Sequence, residues 1–316
     1  MKSLVDLLAT LRPVRVTGQV HRLIGGIAES RGLFAPVGAQ CEIRCRSGIT
    51  LPAEVVGFRG EHALVAPCGD TRGVAAGDRI EYRGDMARVR ISREIIGRVI
   101  DAEGRPIDSR PADLSGAIDV PLHRSADNPL HRLPVDQPLP TGVRAIDALA
   151  TVGRGQRLGV FAGSGVGKSC LLGMLARGTR ADVVVLGLVG ERSREVREFV
   201  ERELGEEGRR RAVVVVATAE EPALKRLKAA LVAIAIAEWF RDRGAHVLLL
   251  LDSLSRVAMA QREIGLAMGE PPATGGYPPS VFTLLPRLLE RAGPGVRGSV
   301  TGFFTALVEG DEEHDP

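Results

Sequence analysis

Arg157-Leu158-Gly159-Val160-Phe161-Ala162-Gly163-Ser164-Gly165-Val166-Gly167-Lys168-Ser169 decides how this chain is read. An apolar run leads into a glycine-rich turn, and a second apolar run, Leu171-Leu172-Gly173-Met174-Leu175, follows it. Strand, turn, helix is the context a phosphate-binding P-loop requires. The glycines let successive N–H groups curl around a triphosphate, and the helix start adds the positive end of its dipole. Gly163, Ser164, Gly165, Val166, Gly167, Lys168 and Ser169 are therefore the candidate cradle. Lys168 is expected to reach the β- and γ-phosphates, and Ser169 to offer its hydroxyl to Mg²⁺. The chain has four lysines among 42 basic residues, so a lysine at this one place is informative. Ala162 stands where the strict pattern has glycine. The position is expected to turn the chain and to tolerate a methyl group.

Working outward, apolar runs alternate with helical stretches from Gly142 onward. The runs are Leu158–Phe161, Val183–Val189, Val213–Ala217, Val247–Leu251 and Ser299–Val308. The first four are continuous, as parallel strands covered on both faces are. Helices are expected over Leu171–Arg177, Arg194–Leu204 and Pro222–Arg243, the last opening on Thr218-Ala219-Glu220-Glu221 as a capping box and stopping at Gly244. The pattern predicts a doubly wound α/β nucleotide-binding domain.

Two acids complete the chemistry. Glu191 follows the second strand, taken as the neighbour of the P-loop strand, where a carboxylate faces a γ-phosphate and orients an attacking water. A solvated acid at a helix N-terminus is the competing reading. Asp252 ends Leu248-Leu249-Leu250-Leu251-Asp252, the Walker B arrangement for a Mg²⁺ ligand. Ser253, Ser255 and Arg256 follow it as candidate phosphate sensors. Together these pieces imply hydrolysis of a Mg²⁺-bound nucleoside triphosphate by electrostatic clamping and water positioning.

Before Gly142 the text differs. Residues 1–12 read as one short amphipathic helix ending before Pro13, either a docking helix or a partner- or membrane-surface helix. Residues 13–92 hold short β-prone runs split by glycine and proline, the pattern of a small β-barrel. Residues 93–142, rich in Pro, Asp and Gly, read as an irregular linker packed on the domain at 143–316. A net charge of +3 supplies no polyanion footprint, and an aromatic content of 3% leaves the barrel only Phe34, Phe58 and Tyr82 for base stacking. An assembly or packing module is therefore preferred over an oligonucleotide-binding one. No apolar run is long enough to span a membrane, and the N-terminus carries no secretory pattern. Cys41, Cys45, Cys68 and Cys170 have no zinc spacing and read as reduced thiols, which fits the cytoplasm.

From about Arg98 onward the residues resemble the type III export ATPases, most closely the flagellar branch, relatives of the rotary ATP synthase catalytic subunits. The resemblance rests on Asn128-Pro129-Leu130, Pro138 to Asp147, Phe161 to Ser169, Gly190-Glu191-Arg192, Glu195 to Phe199, Val215 to Ala219, and the long run Ala258 to Pro272. It implies a RecA-like parallel-sheet ATPase domain behind a β-barrel, with ATP and Mg²⁺ as cofactors. It implies ATP hydrolysis energising protein export for flagellar assembly, by a homohexameric ring in the cytoplasm at the inner face of the membrane. The implied partners are a stator-like regulator, export chaperones with cargo, a central stalk protein and the export gate, with no nucleic acid. By residue, Lys168 and Ser169 match the phosphate and Mg²⁺ ligands, Glu191 the catalytic glutamate, Arg192 a phosphate-contacting arginine and Asp252 the Walker B acid.

The injectisome ATPase of virulence secretion is the nearest alternative. An RNA-translocating ring and a non-catalytic structural paralogue are alternatives of other classes. Ser193 replaces a family glycine and is expected to strain the turn carrying Glu191 if that turn needs a positive φ. Gly275 replaces a family arginine and removes a charge from a loop. The chain is expected to lack the family's helical C-terminal domain and its trans-acting arginine, and so to bind nucleotide weakly and turn it over slowly.

Overall fold

Glycine pairs and alternating apolar positions shape the first of two units, which extends to Ala87; the second begins at Arg88. The computed structural model describes residues 14–84, 86–108, 116–163 and 165–308, so the helix expected over 1–12 lies outside the described residues. In the first unit β1 (Thr17–Ile24) turns through Gly25-Gly26 into β2 (Ile27–Arg31). Both glycines take positive φ, 56° and 78°, the conformation a two-residue hairpin loop needs to match strand twist. β3 (Gln40–Arg44), β4 (Thr50–Arg59), β5 (His62–Pro67) and β6 (Arg79–Gly84) follow, and all six strands close into a barrel in the order β1-β2-β5-β4-β3-β6. Closure leaves no strand edge unpaired. The inward positions Ala28, Ile43, Val55, Val65 and Ile80 are fully buried. Phe34 and Phe58 are instead exposed, lining one groove with the stacked rings of His21 and His62.

The second unit opens with β7 (Arg88–Ile91), which the sequence reading had assigned to the barrel. It pairs antiparallel with β9 (Ile118–Pro121) from the expected irregular linker, while β8 (Val99–Ile100) joins the main sheet beside the strand Ala212–Thr218. That sheet comprises β8, β10 (Arg157–Ala162), β11 (Val183–Glu191), β12 (Ala212–Thr218), β13 (His246–Asp252) and β15 (Ser299–Leu307). They are all parallel, in the order β10-β15-β13-β11-β12-β8; β14 (Gly293–Pro294) adds antiparallel to β15. Two expectations are corrected here. β10 is an edge strand whose residues alternate between exposed and half-buried, whereas β15 is buried along most of its length. The buried strand is thus the one inserted between its neighbours, whatever the local periodicity. And β11 is not adjacent to β10, because β15 and β13 lie between them.

The helices are α1 (Arg144–Leu149), α2 (Lys168–Gly178), α3 (Ser193–Glu198), α4 (Gly205–Arg209), α5 (Ala223–Arg241), α6 (Leu254–Met268) and α7 (Pro279–Glu290). α3 runs into a π-helical segment, Phe199–Leu204, where one regular helix was expected. α5 is buried nearly all round and starts at Ala223 with no side-chain cap. Glu221 instead accepts from the Thr218 N–H at 3.1 Å, so the expected capping box closes the turn before the helix. Gly187 of β11 lets α5 approach; a Cβ there would stand 3.2 Å from Ala233 and 2.6 Å from Leu251. The Thr141–Asp147 stretch is a clasp. The Asp147 carboxylate accepts from the Thr141 N–H and hydroxyl and from the Gly142 N–H, fixing the entry to α1.

Three buried side chains tie the 122–127 segment to the helices. Arg291 donates to Glu238 through Nε and Nη2, at 3.0 and 2.7 Å, and to the Leu122 carbonyl at 2.7 Å. Arg241, 2% exposed, stands 2.6 Å from Asp127. Among the described residues no helix is long and apolar enough to cross a membrane.

Candidate active site

The parallel sheet brings the C-terminal ends of β10, β15, β13 and β11 to one edge, where ligands bind in open α/β sheets. At β10 the chain leaves Ala162 still in strand pairing with Leu307, so the position is extended and makes no demand for glycine. The turn comes later. Gly165 and Gly167 hold φ of 80° and 93°, and a Cβ at either would meet nothing within 4 Å. Conformation rather than space requires glycine at both. Ser164 lies outside the described residues. Gly167 is the N-cap of α2, and Lys168 and Ser169 are its first residues.

Lys168 Nζ stands 2.5 Å from Asp252 Oδ1 and 3.8 Å from Glu191 Oε1. The three side chains are 11%, 5% and 16% exposed, an enclosed triad in which one cation meets two acids. A bulge aims the middle acid. The β11–β12 register shifts between Val189 and Glu191, and Gly190 takes a φ of 72°. Such an insertion turns the next side chain off the sheet's alternation. A Cβ on Gly190 would lie 2.9 Å from Arg256 Cβ, so the close packing of α6 also needs the glycine. Ser193 is the first residue of α3, and no described residue other than glycine has positive φ. The expected strain at Ser193 is therefore absent; the turn's positive φ falls on Gly190.

Glu191 is the site's perturbed group. Burial and the neighbouring Asp252 charge raise its carboxyl to about 7, against the pull of Lys168. Its Oε1 is buried without a hydrogen-bond partner. It lines a cavity of about 130 Å³ with Ser169, Asp252, Glu195, Glu198 and Glu203. An orphaned carboxylate oxygen, a second carboxylate and a hydroxyl facing one small cavity form the hard oxygen set that Mg²⁺ prefers. The residues fit the ion.

Other candidates are placed differently. Arg192 occupies the N-cap position of α3 with its side chain 70% exposed and 3.7 Å from Glu195, not paired with the triad. Ser253 accepts from the Arg256 N–H as the cap of α6, and Ser255 accepts from the Leu307 N–H. Both serine oxygens thus accept from backbone N–H groups. Gly275 takes a φ of 60° in a short turn, a conformation open to glycine. Sequence reasoning missed Thr305, whose Oγ1 donates to Asp252 Oδ1 at 2.7 Å. A threonine inside an apolar strand was the only signal for it.

A P-loop lysine, a strand-end aspartate and a carboxylate tuned to neutral pH at one sheet edge define a nucleoside-triphosphate hydrolase of the P-loop class. The profile of the ATP synthase alpha/beta family, nucleotide-binding domain, matches residues 142–316. The chain belongs to this family and is an ATPase. The flagellum-specific ATP synthase of Bacillus subtilis is 50% identical over all of this chain and 72% of its own length. The type 3 secretion system ATPase of Xanthomonas euvesicatoria is also 50% identical, over 98% of this chain and 70% of the relative. The assembled ATPase EscN of the enteropathogenic E. coli type III secretion system superposes with a TM-score of 0.87 at 44% identity, covering 95% of this chain and 72% of EscN. EscN in complex with its central stalk EscO gives 0.83, over 92% of this chain and 71% of that one.

Proposed function

We propose that this ATPase energises type III protein export for flagellar assembly, working in the cytoplasm beneath the membrane. The observation that carries the chemistry is the enclosed Lys168–Asp252–Glu191 triad at the strand ends. In this reading the Gly163–Ser169 amides and Lys168 hold the phosphates. Ser169 and Asp252 hold Mg²⁺, which neutralises phosphate charge when bound. Glu191 accepts a proton from the attacking water, and Arg192 contacts the phosphate after its exposed side chain turns inward. A carboxyl at about 7 is suited to that proton transfer at neutral pH.

The likeness to EscN, solved assembled and with its stalk, supports a ring of copies around a stalk protein. A stator-like regulator, chaperone–cargo complexes and the export gate complete the proposed partners. Injectisome secretion is the second reading, favoured by the equal identity to the Xanthomonas relative. Deleting the gene in its host and assaying the medium for flagellin and hook protein separates the two. Loss of both, restored by wild type and not by Lys168→Ala, supports the flagellar reading. Normal export of both overturns it in favour of injectisome cargo.

A further inference from the structure

Asp252 Oδ1 accepts from two donors that come from different parts of the fold. Lys168 Nζ, 2.5 Å away, belongs to the P-loop. Thr305 Oγ1, 2.7 Å away and fully buried, belongs to β15, the strand between β10 and β13. The Thr305 oxygen also stands 3.3 Å from the Leu251 carbonyl. A hydroxyl has one proton, and the closer, charged acceptor takes it. The parallel register Leu251↔Phe304 sets Thr305 beside Asp252, so this bond is fixed by the sheet and not by the loop.

We propose that Thr305 is a positioning residue for Asp252. Its hydroxyl keeps the carboxylate in place when Lys168 leaves it to meet arriving phosphates. Lys168 cannot serve both partners with one short contact, and a buried carboxylate left with no donor reorients. A second donor anchored in the sheet keeps the Asp252 carboxylate aimed while the loop cation moves. The inference rests on the reading of Asp252 as a Mg²⁺ ligand.

The test is fluorescent-nucleotide (mant-ATP) titration of the full chain in EDTA and across a Mg²⁺ series. It compares wild type, Thr305→Val, Thr305→Ser, Thr301→Val and Asp252→Asn. Thr301 is buried four residues earlier on β15 and accepts from the Gly155 N–H at 2.8 Å, so it reports loss of a buried hydroxyl away from Asp252. Thr305→Val is expected to raise the Mg²⁺ midpoint by about tenfold, with affinity in EDTA within about twofold of wild type, as loss of a hydrogen bond to a charged group predicts. Thr305→Ser restores the midpoint, and Thr301→Val leaves it unmoved while lowering the melting temperature. Thr305→Ala replaces valine if the latter does not fold. A wild-type Mg²⁺ midpoint in Thr305→Val beside a shifted one in Asp252→Asn overturns the positioning role alone. Equal loss with and without Mg²⁺ in Thr305→Val does so too, because it marks a purely structural effect. An unchanged Mg²⁺ response in Asp252→Asn removes the metal reading and this inference together.

Discussion

The Lys168 ammonium rests on the Asp252 carboxylate, 2.5 Å from Nζ to Oδ1, with Glu191 3.8 Å from the same nitrogen. The P-loop cation is therefore held by the acids it must leave, one ammonium against two carboxyl groups before any phosphate arrives. Lys168→Ala removes that cation. A mostly buried acid that loses its cation costs about 2–4 kcal/mol of stability, moderated here by the Thr305 bond. The variant is expected to unfold at lower urea, to bind mant-ATP at least ~100-fold more weakly and to show no turnover. Wild-type stability and affinity in Lys168→Ala would contradict the pairing.

Glu191 gives a pH signature. Its carboxyl is raised from 4.5 to about 7 by burial first and by Asp252 second. The folded state holds the proton more tightly than the unfolded chain does. That contribution to stability is complete below about pH 4.5 and is lost as pH rises through about 7. Glu191→Gln keeps the neutral form, so above pH 7 it is expected to be the more stable protein, by on the order of 2–3 kcal/mol. The difference closes toward pH 4.5. Thermal denaturation at pH 5 and pH 8 checks the sign. In kinetics, kcat/KM of the wild type is expected to rise with pH through about 7, and turnover by Glu191→Gln to fall by about 10²–10⁴ with nucleotide binding retained.

Asp108 behaves oppositely. Burial pushes its carboxyl up, but Arg98, the Val99 N–H and Arg209 outweigh it and hold it at about 2. The stabilisation is present above the ordinary value of 3.8 and lost as pH falls through about 2. Asp108→Asn is expected to lower stability by about 1–3 kcal/mol at pH 7, the gap narrowing as the pH approaches 2. Urea unfolding at pH 7 and pH 3 measures it.

The Glu238–Arg291 pair is 4% exposed on both sides. Removing one partner strands a buried charge, so Glu238→Ala is expected to cost about 3–5 kcal/mol. The double variant Glu238→Leu/Arg291→Met is expected to cost less than either single truncation, because no charge is left unpaired. Additive losses in a double-mutant cycle would show that the two side chains act independently.

Much of this was legible in the residues. Lys168, Asp252 and Glu191 were picked from strand-end and turn patterns, and the sheet edge collects all three. What local pattern does not encode is strand order. Nothing in Leu158–Phe161 announces an edge, and nothing in Ser299–Val308 announces insertion between β10 and β13, since both follow from long-range pairing. Thr305 was invisible for the same reason: its partner lies on another strand. Ser193 misled because the positive φ of that turn falls three residues earlier, at Gly190. Arg192, drawn from resemblance alone, lies outside the triad because its place at the start of α3 turns it to solvent.

Gly190 acts as a gauge between two packed parts. The hydrogen it carries in place of a side chain sets the distance from the Glu191 turn to the Arg256 stem, with no slack for even a methyl group. A shift of α6 is thus transmitted directly to the turn that carries the Glu191 carboxyl. A push on that helix reaches the Glu191 turn through the Arg256 stem, packed straight onto the glycine backbone.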